Sequence, residues 1–164
     1  MLASNELQVE VSIPRQRLWL KDRERCVREF AVSAARNGPG EQRGSECTPR
    51  GLHVIRAKIG AGCPVNTIFV QRRPSGELYT PALQARYPER DWILTRILWL
   101  SGLEVGRNRL GEVDTMRRYI YIHGCPDGVP VGVPGSHGCI RMRNLEIIEL
   151  FDQVRVGTRV RIED

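Results

Sequence analysis

Between His123 and Ser136 lie twelve residues, and seven of them (Gly124, Pro126, Gly128, Pro130, Gly132, Pro134 and Gly135) are Gly or Pro. Neither a helix nor a regular strand can run through such a stretch, so the chain is expected to fold back on itself there. The four residues Tyr119-Ile120-Tyr121-Ile122 just before it form a β-branched and aromatic run without a breaker, the mark of a strand. The two ends of the return loop carry reactive side chains: His123 on one side, Ser136-His137-Gly138-Cys139 on the other.

The remaining chain reads as strands separated by turns. Leu7, Val9, Val11 and Ile13 alternate with polar residues up to Pro14, the period of a half-buried strand. Arg17–Lys21 and Cys26–Ser33 read as two more strands around an Asp22-Arg23-Glu24 turn, and Gly51–Ile59 and Asn66–Arg72 as a further two. Arg73-Pro74-Ser75-Gly76 carries a turn signal. Trp92–Leu100 is apolar on both faces except at Thr95 and Arg96, which predicts an interior strand, with a buried helix as the alternative. Asn144 is placed as the N-cap of a helix presenting Leu145, Ile148 and Phe151 on one face and ending before Gly157. Arg159–Ile162 alternates as a last strand. At least seven strands, one clear helix and no βαβ alternation predict a mainly-β, β-sandwich-like domain with one helix in its C-terminal half. Two segments, Ala34–Pro49 and Ser101–Met116, are long for simple connections and are candidate binding loops. Within the latter and the strand before it, Arg96, Trp99 and Asp114 are possible substrate contacts or structural residues.

At 164 residues the chain suits one domain, 1–164, large enough for a hydrophobic core. Lys and Arg total 25 against 19 acids, a net charge of +6, but the arginines are scattered. That distribution is consistent with an acidic ligand and gives no reason to expect nucleic acid. The N-terminal MLASNELQVEVSIPRQ has no basic start followed by an apolar run, and no apolar stretch approaches membrane-spanning length. The expected location is therefore the cytoplasm, or the periplasm if a leader has been removed. Five cysteines (Cys26, Cys47, Cys63, Cys125 and Cys139) show no framework spacing, which agrees with a reducing compartment.

A thiol is a strong nucleophile as the thiolate, and an imidazole is the usual partner that generates it. The return loop can bring His123 and Cys139 within hydrogen-bonding distance in those two roles. Gly138 allows close backbone approach and would aim the amides of Gly138 and Cys139 at a developing oxyanion. Arg141 shares the face of Cys139 if the segment is extended, where it can favour the thiolate and pair with a substrate carboxylate.

The segments IHG and SHGCIRM, with the Gly/Pro loop between them, resemble the signature of L,D-transpeptidase catalytic (YkuD-type) domains, and Thr48-Pro49-Arg50-Gly51 resembles that family's TPxG element. The similarity extends from about Leu7 to Ile162. The resemblance implies a β-sandwich-like fold and no cofactor. It implies that Cys139 is the nucleophile and His123 its base, with Gly138 in the catalytic turn and Arg141, Ser136, His137 and Gly124 around the substrate. His137 either orients substrate or braces the loop. Cys125 stands where family members commonly have Thr or Ser. The implied partners are peptidoglycan stem peptides or soluble muropeptides, and carbapenem-type inhibitors. The implied reaction is attack on the L-centre carbonyl of the diamino acid at stem position three, with terminal D-Ala leaving and a thioester formed. Water as acceptor gives L,D-carboxypeptidase action in muropeptide recycling, the preferred expectation; an amine gives 3→3 cross-links. Two other readings of the same residues are weighed. His123-x-Cys125 and His137-x-Cys139 supply four potential ligands for a structural zinc. Cys125 can also be considered as a redox partner of Cys139. His53 is read as structural.

Overall fold

The computed structural model describes residues 7–164. The part of the leader reading that concerns residues 1–6 lies outside the described residues. The elements run β1 (Leu7–Ser12), β2 (Arg17–Asp22), β3 (Arg25–Ala31), β4 (Gly51–Ile59), β5 (Thr67–Val70), β6 (Arg73–Leu78), α1 (Pro81–Arg86), β7 (Leu94–Gly102), β8 (Tyr121–Gly124), β9 (Ile140–Met142), α2 (Asn144–Gln153) and β10 (Arg159–Glu163). The mainly-β expectation is met.

The strands form one sheet in the order β3-β2-β1-β10-β4-β7-β5-β6, with β8 branching from β7 and β9 from β8. Two pairs are parallel, β1 with β10 and β8 with β9. Parallel neighbours need a long connection. The Gly/Pro loop supplies it between β8 and β9. Beyond β3 the chain continues to Ser33, which exchanges both backbone hydrogen bonds with Arg141 of β9 (2.9 Å each). The sheet therefore curls until its first and last parts meet, and a core fills the inside. Val9, Val11, Leu18, Leu20 and Phe30 from one wall pack with Leu98, Leu100, Ile122, Ile140 and Met142 from the other. Helix α2 closes the core with Ile147, Leu150, Phe151 and the following Val154.

Strand β7 explains its own sequence. Leu98 and Leu100 face the core, while Ile97 joins Phe69 and Tyr121 in a second cluster on the opposite side. Both faces are covered, hence the unbroken apolar run. Thr95 and Arg96 mark an irregularity: Thr95 has φ +75°, and the β7–β8 register shifts between Leu94 and Ile97. A β-branched residue in this region is strained. Its hydroxyl is well used there, donating to Asn144 Oδ1 (2.6 Å) and accepting from the Asn66 amide (3.0 Å).

Several expectations are corrected. Residues 73–76 are not a turn but the start of β6, an exposed edge strand where proline costs no ladder bond. The turn is Gln71-Arg72, both at positive φ (49° and 66°), a geometry that these residue types do not advertise. The strand expected at Tyr119 begins at Tyr121, because Tyr119 is left-handed (φ +56°). Arg143, not Asn144, is the N-cap of α2, and the buried face is Asn144, Ile147, Leu150 and Phe151, with Leu145 turned to solvent. The short α1 was not expected, although Thr80 caps it (Leu83 N–H to Oγ1, 3.2 Å) and Pro81 opens it.

Candidate active site

The site is a consequence of the β8–β9 register. Ile122 pairs with Ile140, and both enter the core. Alternation then turns Tyr121, His123 and Arg141 to the opposite face, and Cys139, the residue before β9, follows the same parity. The return loop thus places His123 and Cys139 on one face of neighbouring strands, one diagonal step apart.

Cys139 lies against the Phe69, Ile97 and Tyr121 cluster and retains partial exposure. Its thiol donates to the Tyr119 carbonyl (3.3 Å), and its sulfur accepts from the Tyr121 amide (3.3 Å). The left-handed turn at Tyr119 aims that carbonyl at the sulfur. Burial pushes the thiol up to about 12; the Tyr121 amide and the nearby Arg141 and Arg118 act in the opposite sense, whereas Asp91 adds to the rise.

His123 is buried. Its Nδ1 donates to the Gly124 carbonyl (2.6 Å), since a carbonyl can only accept. That bond fixes the tautomer and leaves Nε2 with its lone pair, buried and without a partner among the described residues. Burial holds the imidazole below its ordinary range, so it is neutral at pH 7. The expected thiolate–imidazolium pair is therefore a neutral thiol beside a neutral base in this state, and the thiol's own bonds go to backbone rather than to His123. Gly124 enters the site through its carbonyl. It has to be glycine, because a Cβ there would run into Asn144 Oδ1 and lie 2.7 Å from the Leu94 carbonyl oxygen.

The turn before Cys139 is braced from three sides. Ser136 Oγ donates to the Cys139 carbonyl (2.5 Å) and accepts the Gly138 amide (3.1 Å). The Gly138 amide expected at the oxyanion is thus already engaged. Gly138 has φ +130°, and a Cβ would meet the Cys47 carbonyl oxygen and Ile120 Cδ1, each at 3.2 Å. Thr48 Oγ1 donates to the Gly138 carbonyl (2.9 Å) and accepts the Ala35 amide (2.9 Å), both buried. The loop 34–49 therefore holds the turn before Cys139 in place. Arg118 ties it further, donating to the carbonyls of Gly40, Glu41 and Cys47.

Arg141 is engaged by Asp91 Oδ1 (3.0 Å) and by the Gly135 carbonyl (3.2 Å). The other Asp91 oxygen is 3.7 Å from Nδ1 of the exposed His137. Asp91 was missed in the sequence, where it sits in an unremarkable Glu89-Arg90-Asp91 run. Tyr119 and Tyr121 were missed as sulfur partners because they act through backbone atoms.

Other candidates do not converge here. Among the described residues no cluster of three or more His, Cys, Asp or Glu can hold a metal, so the zinc reading has no support. Cys125 lies just past the end of β8, four residues beyond Tyr121, the position that the register sets opposite Cys139; at strand spacing that is about 13 Å, too far for a disulfide. Its thiol is buried, donates to the Met142 carbonyl (3.4 Å) and is pushed up to about 11 by that burial. Arg96 donates to the carbonyls of Cys63 and Thr95, and Asp114 accepts the amides of Leu110 and Arg117; both serve the loops. Trp99 Nε1 donates to the Met116 carbonyl, while its ring packs on the same Phe69, Ile97 and Tyr121 cluster as Cys139. His53 has two partners that the sequence did not reveal, the Gly51 carbonyl and Thr115 Oγ1 (3.0 Å each).

A buried, oriented imidazole and a thiol on one face of adjacent strands are the equipment of a cysteine acyl-transfer enzyme. The chain belongs to the L,D-transpeptidase catalytic domain (YkuD) family, whose model matches residues 6–162. It is 32% identical over 119 residues to the probable L,D-transpeptidase YbiS of Escherichia coli, covering 65% of this chain and 35% of that protein. Over 47 residues it is 51% identical to the probable L,D-transpeptidase ErfK/SrfK of Salmonella typhimurium, covering 29% of this chain and 15% of that protein. The chain thus spans about a third or less of these relatives' length. Among solved structures, an L,D-transpeptidase from Xylanimonas cellulosilytica superposes with a TM-score of 0.60 at 20% identity, over 95% of this chain and 59% of that one. The structure of LdtMt1 in complex with imipenem gives 0.56 at 18%, over 96% and 58%. These two establish the shared fold.

Proposed function

We propose that the protein catalyses cysteine-dependent acyl transfer at the L–D bond of peptidoglycan tetrapeptide stems, releasing terminal D-Ala. The observation that carries the reading is the unpartnered Nε2 of His123, a neutral base on the face that presents the Cys139 thiol. On substrate binding the thiol leaves the Tyr119 carbonyl and passes its proton to Nε2 as sulfur attacks the scissile carbonyl. The backbone amide of Cys139 is the proposed donor to the oxyanion. The imidazolium, steadied by Gly124 and by the charge of Asp91, then protonates the leaving amine and a thioester remains.

The acceptor decides the outcome. Because Cys139 keeps an open side, water can reach the thioester, and hydrolysis to tripeptide is the proposed reaction in the absence of a bound amine. A second stem's amine at the same position yields a 3→3 cross-link. Solved relatives include one in complex with imipenem and one with a faropenem-derived adduct; acylation of Cys139 by carbapenem-type β-lactams is proposed by the same chemistry. Soluble muropeptides handled in the cytoplasm remain the proposed setting.

Mass spectrometry of the purified protein with a soluble tetrapeptide muropeptide, with and without an amine donor, tests the reading. Free D-Ala and tripeptide, lost in Cys139→Ala, are expected; dimers formed in preference to tripeptide would replace hydrolysis by transpeptidation, and neither product would overturn both.

A further inference from the structure

The arginines around Cys139 differ in what already holds them. Arg141 is engaged by Asp91 and Gly135, Arg118 by three carbonyls and Arg96 by two. Arg72 stands apart. It occupies the tip of the β5–β6 hairpin at φ +66°, a costly conformation that fixes where its side chain starts. From there the guanidinium lies 4.6 Å over the Tyr119 ring and 5.0 Å over the Trp99 ring. Its Nη1 donates to the Tyr121 hydroxyl (3.1 Å). It makes no ion pair with a carboxylate among the described residues. Two of its three partners, Tyr119 through its ring and Tyr121 through its hydroxyl, are the residues whose backbone meets Cys139: the Tyr119 carbonyl accepts a hydrogen bond from the thiol, and the Tyr121 amide donates to the sulfur. Arg72 is therefore linked to Cys139 through one intervening residue along each of two paths.

We propose that Arg72 is a specificity-determining residue that receives the free C-terminal carboxylate of the peptide substrate, the carboxylate of the departing D-residue; this rests on the acyl-transfer reading above. Stacking on two aromatic faces fixes the plane of the guanidinium, and the Tyr121 hydroxyl uses one corner. The Nε–Nη2 edge is left for a bidentate carboxylate. In a substrate whose scissile carbonyl lies at Cys139, the terminal carboxylate of a one-residue leaving group is the anion closest to the reacting bond. A peptide extended by a further residue, or capped as an amide, presents no charge at that position. The enzyme would thus read chain length through Arg72, accepting tetrapeptide stems and discriminating against longer ones.

The probes are the tetrapeptide L-Ala-γ-D-Glu-meso-diaminopimelyl-D-Ala and its C-terminal amide, which share every other charge. Calorimetry on Cys139→Ser should show the acid bound roughly 10- to 100-fold more tightly than the amide, the range of a charge-assisted hydrogen-bond pair. In the double variant with Arg72→Gln the ratio should fall to near one, and Arg72→Lys should restore part of it. With Cys139 intact, the same preference should appear in D-Ala release, carried mainly by KM. A ratio below two in Cys139→Ser, or one unchanged by Arg72→Gln, would overturn the proposal. A binding preference that disappears with Arg72, in a protein that releases no D-Ala, would uphold it and reject the acyl-transfer reading instead.

Discussion

Thr48 offers a sharp test of how the loop 34–49 serves the nucleophile. Among the described residues its hydroxyl is the single partner of two buried groups at once, the Ala35 amide and the Gly138 carbonyl (2.9 Å each). Thr48→Val keeps the shape and removes both bonds. Each buried polar group left without a partner costs about 1–3 kcal/mol, so the variant should lose about 2–6 kcal/mol of stability. With a urea dependence of about 2 kcal/mol per molar, the denaturation midpoint should fall by about 1–3 M. Thr48→Ser keeps the hydroxyl and should stay within about 1 kcal/mol of the parent. The effect should also reach chemistry, because the freed Gly138 carbonyl belongs to the peptide bond leading into Cys139. D-Ala release by Thr48→Val should drop at least tenfold in kcat under conditions where the variant is fully folded. A midpoint shift corresponding to less than about 0.5 kcal/mol would show that the double hydrogen bond is not what secures the turn, and the bracing argument would fail.

Three further outcomes follow from the same geometry. Because burial pushes the Cys139 thiol up to about 12, its alkylation by iodoacetamide, followed by peptide mapping, should be slow at neutral pH and rise about tenfold per pH unit to pH 10; a plateau near pH 8 would contradict a neutral resting thiol. Asp91 adds to that rise, so Asp91→Asn should alkylate several-fold faster at fixed pH, and an unchanged or slower rate would remove Asp91 from the field at the sulfur. Burial holds His53 down at about 4, below the ordinary imidazole value of about 6.5; the unfolded chain binds the proton first as pH falls. The stability contributed by neutral His53 is complete above pH 6.5 and is lost as pH drops toward 4, amounting to about 3 kcal/mol. His53→Gln should flatten urea midpoints across that window, and a parallel pH dependence would refute the assignment.

What the sequence revealed and what it hid separate by range of interaction. The alternation in Leu7–Ile13 and Arg159–Ile162 reports a local fact, which side chains face a core, and both strands appear where the pattern puts them. The Gly/Pro loop is equally local, and it identified both ends of the β8–β9 connection. The face of α2 was misread for a tertiary reason: Asn144 is drawn inward to the Cys125 carbonyl (2.9 Å), which rotates Leu145 outward. Asp91 and Arg72 gain meaning only through partners about 50 residues away in sequence, Arg141 and Tyr121, and nothing in their own neighbourhoods marks them. Thr48 was singled out by resemblance alone; its reason is a contact 90 residues away.

The resting state of the pair follows from where the fold has to put it. A parallel β8–β9 ladder lets His123 and Cys139 share a face, but that face is covered by Phe69, Ile97 and Tyr121, so charge on either partner is penalised. Both groups consequently sit neutral, His123 through burial and Cys139 through burial plus Asp91. This arrangement suits a nucleophile that must ignore most electrophiles. In the proposed mechanism the thiol is activated when a bound substrate draws it from the Tyr119 carbonyl toward Nε2, and the developing positive charge on the ring is then favoured by Asp91 and by the Gly124 carbonyl. Reactivity is thereby coupled to occupancy. Small alkylating agents, which cannot organise the site, should report a sluggish cysteine, while a carbapenem-type lactam that places a carbonyl on the sulfur should acylate it rapidly at the same pH. The comparison of these two rates at pH 7 decides the matter: if both are fast, the pair is a preformed ion pair and the neutral resting state is wrong.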